Sequence, residues 1–336
     1  RRGALGWILG GVALVAVAGS VGVYYYLNNG QGGSSTVPGA PASPALYILK
    51  GHGASVTSVS LLSDGSKLAT GSLDQSVRLW STADGSLAGT IKTSAAVNTL
   101  AWSPDGSKLA TGEEDRSVNF WNASGTSIKR EAGWGAAIKS LAWRSDGSFL
   151  YFGTNGNGLH ALQISNYKHY GRTSSQVFVN AIALSPSGSL LALALESGRV
   201  YFADLANNLA ETASIAPDHG AALSVAWSHD NSFVVVGYAD GNAVVYDATA
   251  RNVKYLLKHK GAVYSVAWSP ASTAATPILM SGAADGSVNI WNLQGQGQQI
   301  IYSGHSDAVL AVTWGTTMLA SASKDQTAIL WQPPTF

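Results

Sequence analysis

Short apolar stretches broken by tight polar turns set the pattern of this chain from residue 46 onward. Residues 68–80, LATGSLDQSVRLW, read as a strand (68–71), a turn built on Asp74, and a second strand (77–80). Apolar positions fall on both sides of such strands, as expected where sheets are covered on both faces. The pattern returns as LATGEEDRSVNFW ending at Trp121, LMSGAADGSVNIW ending at Trp291 and LASASKDQTAILW ending at Trp331. Weaker copies end at Leu162, Phe202 and Tyr246. From Trp80 onward these markers are spaced by 41, 41, 40, 44, 45 and 40 residues.

A fixed period near 40 residues with room for four strands in each copy predicts propeller blades. The fold expected is therefore all-β, a propeller of seven blades spanning 46–336. Further strands align as VNTLAW (97–102), IKSLAW (138–143) and NAIALS (180–185), each followed by a turn of the form SPDGS, RSDGS or SPSGS. Residues 46–49, LYIL, make a lone strand with no partner in their own repeat. Glycine is abundant, 38 residues, as a chain of many tight turns requires.

These repeats resemble the WD40 family over residues 46–331. The Asp that usually follows the strand Trp survives only at Asp247, after Tyr246. The resemblance implies that 46–49 closes the ring as the outer strand of the last blade. It also implies buried hydrogen-bonded sets of His, Ser or Thr, Asp and Trp. Complete sets are His52, Thr70, Asp74 and Trp80; His259, Ser281, Asp285 and Trp291; and His305, Ser321, Asp325 and Trp331. The second repeat has Thr111, Asp115 and Trp121 but Thr93 at the His position. The fifth has His219, Asp240 and Tyr246 but Val236 for Ser. The third puts Trp134 and Gly156 at the His and Asp positions, the fourth Ser175 and Glu196, with Phe202 for Trp. A peptide-binding rim is implied too, at Thr57, Leu73, Asn98, Glu114, Trp134, Lys139, Asn155, Phe178, Asn180, Tyr264, Leu310 and Lys324.

Ahead of the repeats, residues 7–27, WILGGVALVAVAGSVGVYYYL, carry no charge. As a helix they cover roughly 30 Å, the hydrocarbon thickness of a bilayer. Trp7 and the tyrosines at 24–26 suit the two interfaces, and Arg1 and Arg2 place that end in the cytoplasm. The expectation is a single-pass span over 1–27, a Gly/Ser/Pro linker over 28–45, and a propeller outside a bacterial-type cytoplasmic membrane. Ala16-Val17-Ala18 has the form of a signal-peptide cleavage site, the competing reading of that run. Bacterial proteins of similar layout carry a Ser/Thr kinase before the span, an analogy only.

Charge is sparse, 12% of residues with a net of +1, which argues against a nucleic-acid partner. The absence of cysteine excludes disulfides and thiolate metal sites. His and Asp recur around the ring, which an active site does not do, so no catalytic or metal residues and no cofactor are expected. The Asp-Gly pairs read as hairpin turns rather than calcium loops. Residues 166–172, NYKHYGR, form a second mixed aromatic and basic patch. Three function classes stay open: a protein- or peptide-binding scaffold or sensor, a propeller hydrolase or lyase with a central-channel site, and a structural subunit of a membrane complex. Convergent carboxylates or histidines in the channel would favour the enzyme.

Overall fold

The computed structural model describes residues 25–27, 45–172, 177–294 and 298–336. Seven sheets follow one another along the chain, six of four strands and one of five. Blade 1 comprises Val56–Leu61, Lys67–Ser72, Ser76–Ser81 and Leu87–Lys92, each strand antiparallel to the next. Blades 2 to 6 repeat this order, with inner strands Val97–Trp102, Ile138–Trp143, Val179–Leu184, Ala222–Trp227 and Val263–Trp268. Blade 7 has three consecutive strands, Val309–Trp314, Leu319–Ser323 and Ala328–Trp331. Its fourth is Ala45–Leu49, paired antiparallel to Ala328–Trp331. The closing strand thus begins one residue earlier than the expected linker boundary. Inner strands pack against the inner strands of both neighbouring blades, the last against the first, so the ring is closed.

Hydrophobic burial lies between blades rather than in one centre. Each cluster joins strands of adjacent blades, as where Val77, Leu79 and Ile91 of blade 1 meet Val97, Leu100 and Trp102 of blade 2. The recurrent glycine of LATG has a cause in this packing. A Cβ on Gly71 would stand 2.6 Å from a Val97 methyl, one on Gly112 2.5 Å from Ile138, and one on Gly282 2.5 Å from Val309. The next blade's first inner residue therefore occupies the space a side chain would need.

The inner strands are further stapled by polar atoms. Ser58 accepts from the Leu100 amide at 3.0 Å, Ser140 from Ile182 at 3.0 Å and Ser265 from Val312 at 3.0 Å. The indole N–H groups of Trp143, Trp227 and Trp268 each donate to a carbonyl of the preceding blade at 3.1 Å.

Most of the expected membrane span lies outside the described residues. Its last three, Tyr25–Leu27, are not helical: they form a short strand parallel to the outer strand of blade 5, Val253–Lys258. Among the described residues no helix is long and apolar enough to cross a membrane.

Candidate functional site

In five of the blades the turn between the second and third strands sits over a buried polar relay. In blade 1 the Trp80 indole donates to Thr70 Oγ1 at 2.9 Å, Thr70 lies 2.8 Å from His52 Nε2, and His52 Nδ1 lies 2.9 Å from Asp74. With Trp80 supplying the first proton, Thr70 donates to Nε2, and a neutral imidazole donates from Nδ1 to the carboxylate. Burial pulls the His52 pKa down despite Asp74 beside it. Burial also pushes Asp74 up, but hydrogen bonds from Ser76, the Gly53 amide and His52 outweigh it and hold the carboxyl below its usual range. Blade 7 repeats the geometry: Trp331 to Ser321 at 2.7 Å, Ser321 to His305 at 2.8 Å, His305 to Asp325 at 2.9 Å.

The blade 6 set departs from expectation. Trp291 donates to Ser281 at 2.7 Å, and Ser281 lies 2.9 Å from His259. The other ring nitrogen, however, faces Asn289 Nδ2 at 2.8 Å, and Asp285 instead accepts from the Ser287 amide and hydroxyl. An amide in place of the carboxylate leaves burial as the main influence on His259, whose pKa falls to about 4. A consequence is measurable by urea titration. Asp325→Ala strips acceptors from His305, the Ser306 amide and Thr327, and is expected to cost ~2–3 kcal/mol. Asp285→Ala loses only a local turn and is expected to cost under about 1 kcal/mol.

Two other blades rebuild the relay with different residues. In blade 2, Trp121 donates to Thr111 at 3.1 Å, and the fully buried Glu113 stands in for the missing His. Its carboxylate accepts from Thr111, Asn119, Ser94 and the Ala95 amide, and burial raises its pKa. In blade 5, where Val236 holds the Ser position, the hydroxyl of Tyr238 two residues on meets that of Tyr246, at the Trp position, at 3.1 Å, beside the His219–Asp240 pair at 2.8 Å. Neither Glu113 nor Asn289 belongs to the family pattern. The signal for Glu113 was an acid in LATGEED beside a repeat without its His.

Above the relays lies the rim. In every blade the inner strand carries one extra residue after its first ladder pair, a bulge that re-aims the side chain. These residues are Thr57, Asn98, Lys139, Asn180, Leu223, Tyr264 and Leu310. The bulge brings together six of the expected rim residues and adds Leu223, which the spacing ALSVAW against VYSVAW would have marked.

A second circle opens the adjoining turns: Leu73, Glu114, Asn155, Glu196, Ala239, Ala284 and Lys324. Each donates its amide to the loop entering the inner strand, at 2.9–3.1 Å. Glu196 thus belongs to the rim, one residue ahead of the Asp position it was expected to fill.

The two circles are wired. Asn98 and Lys139 both donate to the Glu114 carboxylate, at 2.7 and 3.3 Å, and these hold the carboxyl below its usual range. Asn180 donates to Glu196 at 2.8 Å, and Thr57 to the Val97 carbonyl of the next blade at 2.6 Å. Apolar side chains stay exposed between these groups: Leu73 at 43%, Phe178 at 49% and Tyr264 at 37%. Asn155 and Lys324 are exposed and Leu310 half-buried.

Trp134 does not join this surface. It is half-buried against Phe152, His160 and His169, with ring centroids 4.9, 5.5 and 5.3 Å away, and fills the place of the absent His. The 166–172 patch is divided likewise. Tyr167 packs edge-on to Phe120 at 5.1 Å and His169 on Trp134, leaving Tyr170 exposed.

The inner strands carry small and apolar residues, and their single charged side chain is Lys139. Among the described residues no group of His, Asp and Glu is arranged to hold a metal ion.

Comparison with known proteins agrees with this architecture. A family model described as "Nucleolar protein 10-like, N-terminal domain" matches residues 100–326, and one described as "WD domain, G-beta repeat" matches residues 43–81. The chain is 35% identical over 112 residues to WD repeat-containing protein slp1 of Schizosaccharomyces pombe, covering 32% of this chain and 22% of that one. It is 35% identical over 97 residues to protein transport protein SEC13 of Pyricularia oryzae, covering 22% and 34%. It is 36% identical over 70 residues to the ribosome biogenesis protein WDR12 homolog of Anopheles gambiae, covering 19% and 16%. The matched region therefore spans about a third or less of these relatives' length. All three are eukaryotic and give no support to a bacterial, membrane-tethered type.

Proposed function

The chain belongs to the β-propeller family described as nucleolar protein 10-like, N-terminal domain, and we propose that it is a non-enzymatic scaffold that holds a partner protein on its rim. The observation that carries this reading is the double circle of bulge and turn residues. Exposed Leu73, Phe178 and Tyr264 alternate there with a bonded Asn98–Glu114–Lys139 cluster. Large side chains amid polar groups already fixed in place make a binding surface of low ordering cost. A channel enzyme would need convergent acids or bases, and the inner strands offer one lysine. The names of the relatives, a protein transport protein and a ribosome biogenesis protein among them, agree with a part in assemblies.

The test is capture of a partner by the purified protein and its variants. Tyr264 is exposed and lies outside the relays, so Tyr264→Ala is expected to weaken binding by about 2 kcal/mol, some thirtyfold in Kd. Its melting temperature should stay within a degree or two of the parent. Undiminished capture by both Tyr264→Ala and Lys139→Ala would remove the rim as the binding site.

Anchoring belongs to the same reading. The uncharged run that follows Arg1 and Arg2 from residue 7, up to but not including Tyr25, supports a single-pass anchor with the ring on the extracytoplasmic side. Alkaline extraction tests it: release of the full chain from membranes at high pH would dismiss the anchor. Protease digestion of intact vesicles reports which side the ring occupies.

A further inference from the structure

The outer strand of a propeller blade is an open sheet edge, with backbone donors and acceptors free to pair. Several blades protect that edge with charge. Blade 2 presents Lys129, Arg130 and Glu131 in succession on its outer strand, and blade 4 places Glu211 near the start of its own. Blade 7 covers its edge with Ala45–Leu49. Blades 1 and 6 have uncharged stretches on their outer strands too, LAGTI and QQIIY, but among the described residues no further strand pairs with either. The outer strand of blade 5 reads VKYLLK, an uncharged Tyr255-Leu256-Leu257 flanked by Lys254 and Lys258.

On that edge lies a segment of the chain's own N-terminal region. Tyr25 pairs with Tyr255, Tyr26 with Leu256 and Leu27 with Leu257, in parallel. The register sets an uncharged triplet against the one uncharged triplet of the strand and leaves both lysines beyond the paired stretch. A shift of two residues in either direction would put a lysine opposite an apolar residue. Uncharged outer strands occur on other blades as well, so it is the pairing and its register that mark this edge as the acceptor.

We propose that the outer edge of blade 5 is a docking site for Tyr25–Leu27, so that the chain enters the ring at blade 5 and not at the closing strand. Two strands of the N-terminal region then hold two different blades: Tyr25–Leu27 on blade 5 and Ala45–Leu49 on blade 7. Residues 28–44 join these two edges, and at about 3.4 Å per extended residue they reach up to roughly 60 Å. This assignment does not depend on the rim's binding role or on an anchor.

The chain has no cysteine, so paired cysteines can be introduced without background. The full chain carrying Tyr26→Cys and Leu256→Cys is to be oxidised gently beside two controls. These combine Tyr26→Cys with Thr90→Cys on the outer strand of blade 1, or with Ile300→Cys on that of blade 6. Directly paired strand positions lie within disulfide reach. The expected result is an intramolecular disulfide at least tenfold faster in the Leu256 pair than in either control. Equal rates in all three would overturn the docking, and so would links formed only between molecules, which would mean exchange between copies. A second measurement leaves blade 5 untouched. With Tyr25, Tyr26 and Leu27 all replaced by Gly, backbone amides on the Tyr255–Leu257 edge are expected to exchange hydrogen about tenfold faster. Unchanged exchange there would overturn the docking even if the cysteine variants fail to fold.

Discussion

A chain that begins at Gly51 is expected to melt roughly 10 °C below one that begins at Ala45. The difference between them is the closing strand. Ala45, Tyr47, Ile48 and Leu49 pair with Trp331, Leu330, Ile329 and Ala328, so losing them opens the last blade's ladder. Leu49 is 2% exposed and packs with Trp80, Leu68 and Leu330 across the junction of blades 7 and 1. Its burial is worth about 2 kcal/mol. Tyr47 is half-buried in the same cluster and donates its hydroxyl to the Ala83 carbonyl of blade 1 at 2.9 Å, adding about 1–2 kcal/mol. Leu46 and Ile48 are 44% and 52% exposed and add little. The total, about 4 kcal/mol, converts at some 2–4 °C for each kcal/mol in a domain of this class. Calorimetry of the two chains is the check, and equal midpoints would mean that the ring closes without this strand.

Acid should weaken the fold well before ordinary carboxylates titrate. Burial of the imidazole rings of His52, His259 and His305 lowers each of their pKa values, that of His259 to about 4. An unfolded His takes up its proton near 6.5. The unfolded chain therefore binds protons first as the pH falls, and stability present above 6.5 is lost progressively on the way to about 4. His259 alone accounts for on the order of 3 kcal/mol. Asp74 and Asp325, held below their usual range, extend the loss to lower pH, while Glu113, raised by burial, opposes it within the carboxylate range. Urea midpoints measured at pH 7.5 and pH 5 should differ accordingly, and His259→Gln should reduce the difference. A flat profile in the parent would show that these rings carry protons in the folded state.

The period of the Trp markers, the turn glycines and the alternation of short apolar runs determined the number of blades and their strands from sequence alone, while the closing role of 46–49 followed from the resemblance to the WD40 family. The period and the turns are local and repetitive features, and seven copies reinforce one another where each is imperfect. The rim positions came from that resemblance, and the bulge that sets Thr57 and Tyr264 there shows only in the strand pairing. The partners of buried polar atoms were not legible. Glu113, Asn289 and the Tyr238–Tyr246 pair complete relays whose expected members are missing or turned away, and only the tertiary structure decides which neighbour reaches an orphaned Trp, Ser or His. Trp134 illustrates the reason. The sequence put it at the His position and left it between the rim and packing into the gap; the empty His site lined by Phe152 and His160 offered burial that solvent could not. Gly71 makes the same point in reverse. Its recurrence was visible along the chain, while its cause, the Val97 side chain of the next blade, lies across an interface that exists only once the ring has closed.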